Sequence, residues 1–189
     1  MKRTLIIISL ILIFFVIYFL QSNFFSWFTI AGIKPNLFII LALFIGLFLG
    51  RKYGLCFGIV YGFFLDSLIG RNIGISSLML GIIGLMGGYI DKNFSKDSRL
   101  MIMSMVMVTT IIYEIALYIV QSVVLSYNIS EIGLLIKTLI IEVIYNIIIT
   151  IIIYPLIKKT GYFIEGTFKE SNILTRYFYR IKTIERRHK

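Results

Sequence analysis

Three acids of this sequence lie inside long apolar runs: Asp66, Glu114 and Glu142. Lys137 and Asn146 share those runs. Ionisable groups in such surroundings are costly, and they turn towards a bundle interior, a water-filled cavity or a partner. Two readings are open. In the first, the five residues form one polar cluster that could bind a ligand, carry protons or dock a polar residue of a partner. In the second they are structural: Lys137 pairs with Glu114 or Glu142, and Asp66 is hydrated near the surface or bonded to Arg71. Asn146 follows Glu142 by four residues, so the two share a helix face. Other chemistry is poorly supplied. No G-x-S-x-G or HExxH pattern occurs, so no catalytic residue is assigned and no enzyme is expected. The single histidine, His188, sits near the C-terminus, and the single cysteine, Cys56, sits in an apolar run. That count excludes a His/Cys metal site and an internal disulfide, and no cofactor is expected. Without paired His and Asp relays, a proton pump is not expected either.

The second pattern is steric. In GLFLGRKYGLCFGIVYGFFLD, residues 46–66, five glycines fall four apart, at 46, 50, 54, 58 and 62, and the next step is Asp66. Residues four apart lie on one helix face, and small residues there let a second helix approach closely where no hydrophobic drive favours association. Gly54, Gly58 and Gly62 therefore predict a groove along one helix, and Gly46 and Gly50 another. Gly70 and Gly74 follow at a turn, then Gly81, Gly84, Gly87 and Gly88. Whether this surface meets the chain's own helices or a partner's stays open. A phosphate-binding loop does not fit, because G-x-x-x-x-G-K-[ST] is missing and the glycines sit in apolar segments. Ser76-Ser77 and Thr109-Thr110 read as helix-packing hydroxyls.

The elements that must carry these residues follow from composition. Of 189 residues 59% are hydrophobic, and mean hydropathy is +0.95. Runs near 20 apolar residues are bilayer spans, so the fold expected is an all-α membrane protein. Six spans fit: about 4–21, 35–50, 53–69, 74–90, 100–126 and 133–157. A single helix over 35–69 would be roughly 50 Å long and would bury Arg51 and Lys52 at mid-membrane, so a turn is expected at that dipeptide. Met1-Lys2-Arg3 before an apolar run also resembles a signal peptide, but no small residues follow, and an uncleaved first helix is expected.

Net charge is +10. With the N-terminus in the cytoplasm, only Lys34, Arg71 and Lys137 of the 19 basic residues fall outside or in the outer part of a span. The positive-inside rule accounts for that asymmetry, so both termini are expected inside and nucleic acid is not expected as a partner. Trp27, with Phe24, Phe25 and Phe28, reads as an outer interfacial belt. At ~1.5 Å per residue, Asp66, Glu114, Lys137 and Glu142 all fall in the outer half. Residues 1–157 are then the six-span domain and 158–189 a cytoplasmic tail. In the tail, apolar residues recur at helical spacing between Arg176, Arg180, Lys182, Arg186 and Arg187. That is a basic amphipathic helix, suited to anionic lipid or to a cytoplasmic partner.

The stretch YGLCFGIVYGFFLDSLIGRNIGISSL, with the earlier KPNLFIILALFIGLFLG, resembles MreD, the rod-shape-determining membrane protein family. Pro35 at the head of the second span, the block Gly58, Gly62, Asp66, and the turn with Gly70 and Gly74 carry the resemblance, together with size and loop-poor layout. It covers the chain to about residue 157. It implies a non-enzymatic role in the bacterial cell-elongation complex, at the inner membrane. The partners implied are a single-span MreC-like protein and a complex containing MreB, RodA and a transpeptidase. The fold implied is similar to the membrane-embedded S component of ECF vitamin transporters. The rival expectation is such a solute-binding S component, with the polar cluster holding a small ligand.

Overall fold

The computed structural model describes residues 2–69, 74–90, 98–125 and 132–187, and from residue 167 onward it describes the backbone alone. These residues are helical almost throughout. The order is α1 (Lys2–Phe19), a π-turn (Leu20–Phe24), α2 (Phe25–Trp27), α3 (Leu37–Leu49), α4 (Arg51–Ile69), α5 (Ile75–Ile90), α6 (Arg99–Leu125) and α7 (Ile132–Arg187). Among the described residues, three helical stretches are long and apolar enough to cross a membrane: Thr4–Trp27, Arg99–Val120 and Ile132–Gly166. Leu37–Leu49 and Ile75–Ile90 are apolar but shorter.

The centre is α3. Its sequence LFIILALFIGLFL is apolar all round, and 12 of its 13 residues are buried. A helix with no polar face can lie in lipid or in a protein core, and this one is enclosed by protein. At ~1.5 Å per residue it is roughly 20 Å long, shorter than a ~30 Å hydrocarbon core. The expected span over 35–50 thus becomes a shorter helix, begun two residues after Pro35.

Against α3 stand α4 and α5, and glycine decides how closely. A methyl group built on Gly46 would lie 1.9 Å from the Gly84 carbonyl oxygen, and one on Gly54 would lie 2.2 Å from that same atom. Three backbones meet at this oxygen. Farther along, methyls on Gly58 and Gly62 would lie 2.2 Å from the Leu80 oxygen and 2.3 Å from the Ser77 Cα. The glycine face of α4 is thus turned on α5.

Between α3 and α4 the chain reverses at one residue. Gly50 has φ +92° and ψ 176°, a conformation essentially restricted to glycine. The turn expected at Arg51-Lys52 therefore falls one residue earlier, and the dipeptide opens α4. The Arg51 guanidinium lies 4.3 Å from the centre of the Tyr89 ring, a contact that compensates a cation at a helix N-terminus.

Around this triple core the other helices are more loosely applied. α1 turns Ile6, Leu10 and Phe14 inward, at steps of four. Phe14 stacks on Tyr61 at 5.1 Å, and the Tyr61 hydroxyl donates to the Leu10 carbonyl at 2.8 Å. After α2 the chain turns back through Ala31 and Gly32, both at positive φ, closed by two hydrogen bonds between Ile30 and Ile33. Trp27 before this turn is 88% exposed. α6 and α7 pack on each other and on α3. α7 runs unbroken through Pro155 to Arg187, so the last expected span and the tail are one helix. Arg176, Arg180, Lys182, Arg186 and Arg187 lie on its last turns, and their side chains lie outside the described residues.

Candidate functional site

The polar residues gather at the start of α3. The first backbone N–H groups of a helix have no partner within it. Here they find side chains from distant parts of the chain. The Asn36 N–H donates to Asn146 Oδ1 at 2.8 Å, and the Leu37 N–H donates to Gln21 Oε1 at 3.0 Å. Gln21 reaches this point from the π-turn after α1, and Asn146 comes from α7. A helix lacking a cap of its own is thereby tied to two others.

Asn146 is fully buried and bonded on both sides. Its Nδ2 donates to Thr110 Oγ1 at 3.0 Å, and its backbone carbonyl accepts from Thr150 Oγ1 at 2.7 Å. It thus links α3, α6 and α7. A carboxamide suits this place because it donates and accepts at once. On α6, the buried Tyr113 places its hydroxyl beside the side chains of Asn36 and Ser76. The next residue, Glu114, has its carboxyl against that of Glu142 on α7, which in turn lies beside Asn146. Glu142 is only 5% exposed, and its Oε1 accepts no hydrogen bond among the described residues. Two adjacent carboxyls repel if both are charged; a proton, or a cation supplied by another molecule, relieves this.

The five residues of the expected cluster are distributed unequally. Glu114, Glu142 and Asn146 come together. Lys137 is exposed, and five residues along α7 rotate it roughly 140° from Glu142. Asp66 has a separate task. Its Oδ2 accepts from the Gly74 N–H at 2.8 Å and the Ser77 N–H at 3.4 Å, capping the start of α5 from α4. Ser77 Oγ donates back to the Ile59 carbonyl at 2.9 Å. Gly74, at φ +105°, makes the turn into α5, while Gly70 and Arg71 lie outside the described residues. Pro35 is buried just before the capped start of α3. Gln21, Asn36 and Tyr113 were not legible as members from spacing. Gln21 and Asn36 carried one weak signal, as lone amides at the margins of apolar runs.

No curated protein and no solved structure matches the chain. The family model for rod shape-determining protein MreD matches residues 2–160. That range takes in the glycine-packed helices, the Asp66 cap and the whole polar cluster at the start of α3. With most of its length matched, and with apolar helices long enough to cross a bilayer, the chain belongs to the MreD family of rod shape-determining membrane proteins.

Proposed function

We propose that this protein is a non-enzymatic scaffold of the cell-elongation complex. It crosses the inner membrane six times with both termini in the cytoplasm. There it binds an MreC-like single-span protein and helps couple the cytoskeleton to peptidoglycan synthesis. The observation that carries this reading is the use made of Asn146. In a solute carrier the polar centre of the bundle would present its donors and acceptors to the ligand. Here Asn146 spends them on Asn36 and Thr110, joining helices to each other. The distribution of Lys and Arg supports the orientation.

Because the glycine faces of α3, α4 and α5 are turned on one another, the partner's contact falls on α1, α6 or α7. α1 in particular gives only one narrow stripe to the bundle. The test is pull-down of the full chain from gently solubilised membranes. A single-span partner with a large extracytoplasmic part is expected, and depletion should turn rods into spheres. Recovery of an ATPase module with tightly bound vitamin would overturn the scaffold and favour an S component.

A further inference from the structure

Away from the polar cluster, α6 and α7 leave a shallow, open cleft between them. Its walls are Ile102, Met103 and Ile151, and at one end stand Arg99, Thr150 and Tyr154. Arg99 is the first residue of the apolar stretch Arg99–Val120, so it marks the level at which that stretch meets the headgroup region. Tyr154 is buried, and its ring holds two cations. The Arg99 guanidinium carbon and the Lys158 ammonium nitrogen each lie 5.9 Å from its centre. One residue on, Pro155 has no N–H to give to the Ile151 carbonyl four residues back. Ile151 itself lines the cleft and is 46% exposed.

Charge, polarity and depth all change along this cleft in one direction. Two cations stand at the Tyr154 ring, and the apolar residues Ile102, Met103 and Ile151 lead from there into the span. We propose that the cleft holds one anionic phospholipid. The phosphate sits between Arg99 and Lys158, and an acyl chain runs along Ile102, Met103 and Ile151. Basic pockets between membrane helices suit anionic headgroups, and isolated interfacial cations add attraction for them. This site differs from the tail surface of Arg176, Arg180 and Lys182, which is a separate lipid contact expected from sequence.

The experiment is native mass spectrometry of the full chain in detergent. Phosphatidylglycerol and phosphatidylcholine of identical acyl chains are added in turn. Wild type should retain phosphatidylglycerol preferentially. Since each interfacial cation contributes about fivefold, Arg99→Gln with Lys158→Gln should weaken phosphatidylglycerol roughly 30-fold and leave phosphatidylcholine unchanged. The charge-keeping pair Arg99→Lys and Lys158→Arg should retain the preference. Ile151→Trp, which fills the trough, should weaken both lipids, and it serves if the double glutamine variant fails to fold. Undiminished phosphatidylglycerol binding in either of those variants overturns the proposal. So does loss of the preference on Arg176→Gln with Arg180→Gln, which would assign the lipid to the tail.

Discussion

Adding one methyl group to the middle of the glycine junction tests how the bundle is held. Gly84 is the residue to change. A Cβ there would stand 2.1 Å from the Gly54 carbonyl oxygen, 2.5 Å from its carbon and 3.1 Å from its Cα. All three are backbone atoms, so no side chain can swing aside. Reaching ordinary contact, about 3.4 Å, means moving α5 away from α4 by roughly 1.3 Å. A gap of 0.5–1 Å already forfeits about a quarter to a half of each dispersion contact. Without a hydrophobic drive between membrane helices, those contacts are what holds them. Overpacking costs typically 1–3 kcal/mol, and a clash with rigid backbone belongs at or above that limit. Gly84→Ala should therefore destabilise by about 3 kcal/mol or more. At 2–4 °C per kcal/mol for a chain of this size, Tm should fall by roughly 6–12 °C. Gly133→Ala is the control, because a methyl there meets nothing within 4 Å. Helix propensity alone should make that change neutral or stabilising by up to about 1 kcal/mol. The assay is thermal unfolding of both variants in the same detergent, followed by intrinsic fluorescence. If Gly84→Ala melts within 2 °C of Gly133→Ala, the backbone contact between α4 and α5 is not what the geometry says.

Three further outcomes are expected. Asn146→Ala strands the Asn36 N–H and the Thr110 hydroxyl, so detergent unfolding should show a loss of about 1–3 kcal/mol, whereas Lys137→Gln should stay within about 0.5 kcal/mol of wild type. Asp66→Ala should lose about 0.5–2 kcal/mol with the α5 cap, and Asp66→Asn should recover most of it, since an amide oxygen still accepts. Gly50→Ala should cost about 1–3 kcal/mol by forcing a Cβ into a glycine-only backbone region, seen as a lower melting temperature although the methyl has free space.

Much of the helix layout was legible in the sequence, because apolar runs and their interruptions are local. The expected starts of the fourth, fifth and sixth spans, at 74, 100 and 133, fall within one residue of α5, α6 and α7. The reversal near 50 was legible too, since a continuous helix would have buried Arg51 and Lys52. Its position was off by one because a basic pair marks only which side of a membrane is favoured, whereas the turn itself needs the one residue that tolerates φ +92°. The helix that carries the last expected span does not end with it at residue 157. Composition changes after residue 157, but a helix backbone does not stop where hydropathy does, and Pro155 sits within it.

The candidate site was less legible. Depth counting placed Asp66, Glu114, Lys137 and Glu142 at comparable levels, but level is only one coordinate. Rotation about each helix axis and the choice of neighbours separate Lys137 and Asp66 from the Glu114–Glu142 pair. Nothing in the spacing of Gln21 or Asn36 announces that they meet the same end of α3.

The amino-acid order by itself determined that this is a helical, membrane-adapted chain with a glycine face on each of its closely packed central helices. Periodicity and apolar run length are properties of neighbours along the chain, so they can be read there. Only the tertiary structure decided what those faces meet. The Gly84 carbonyl closes on Gly46 and Gly54, and Asn146 closes on Asn36 across 110 positions. Such partners are chosen by how helices pack in three dimensions, which no local pattern encodes.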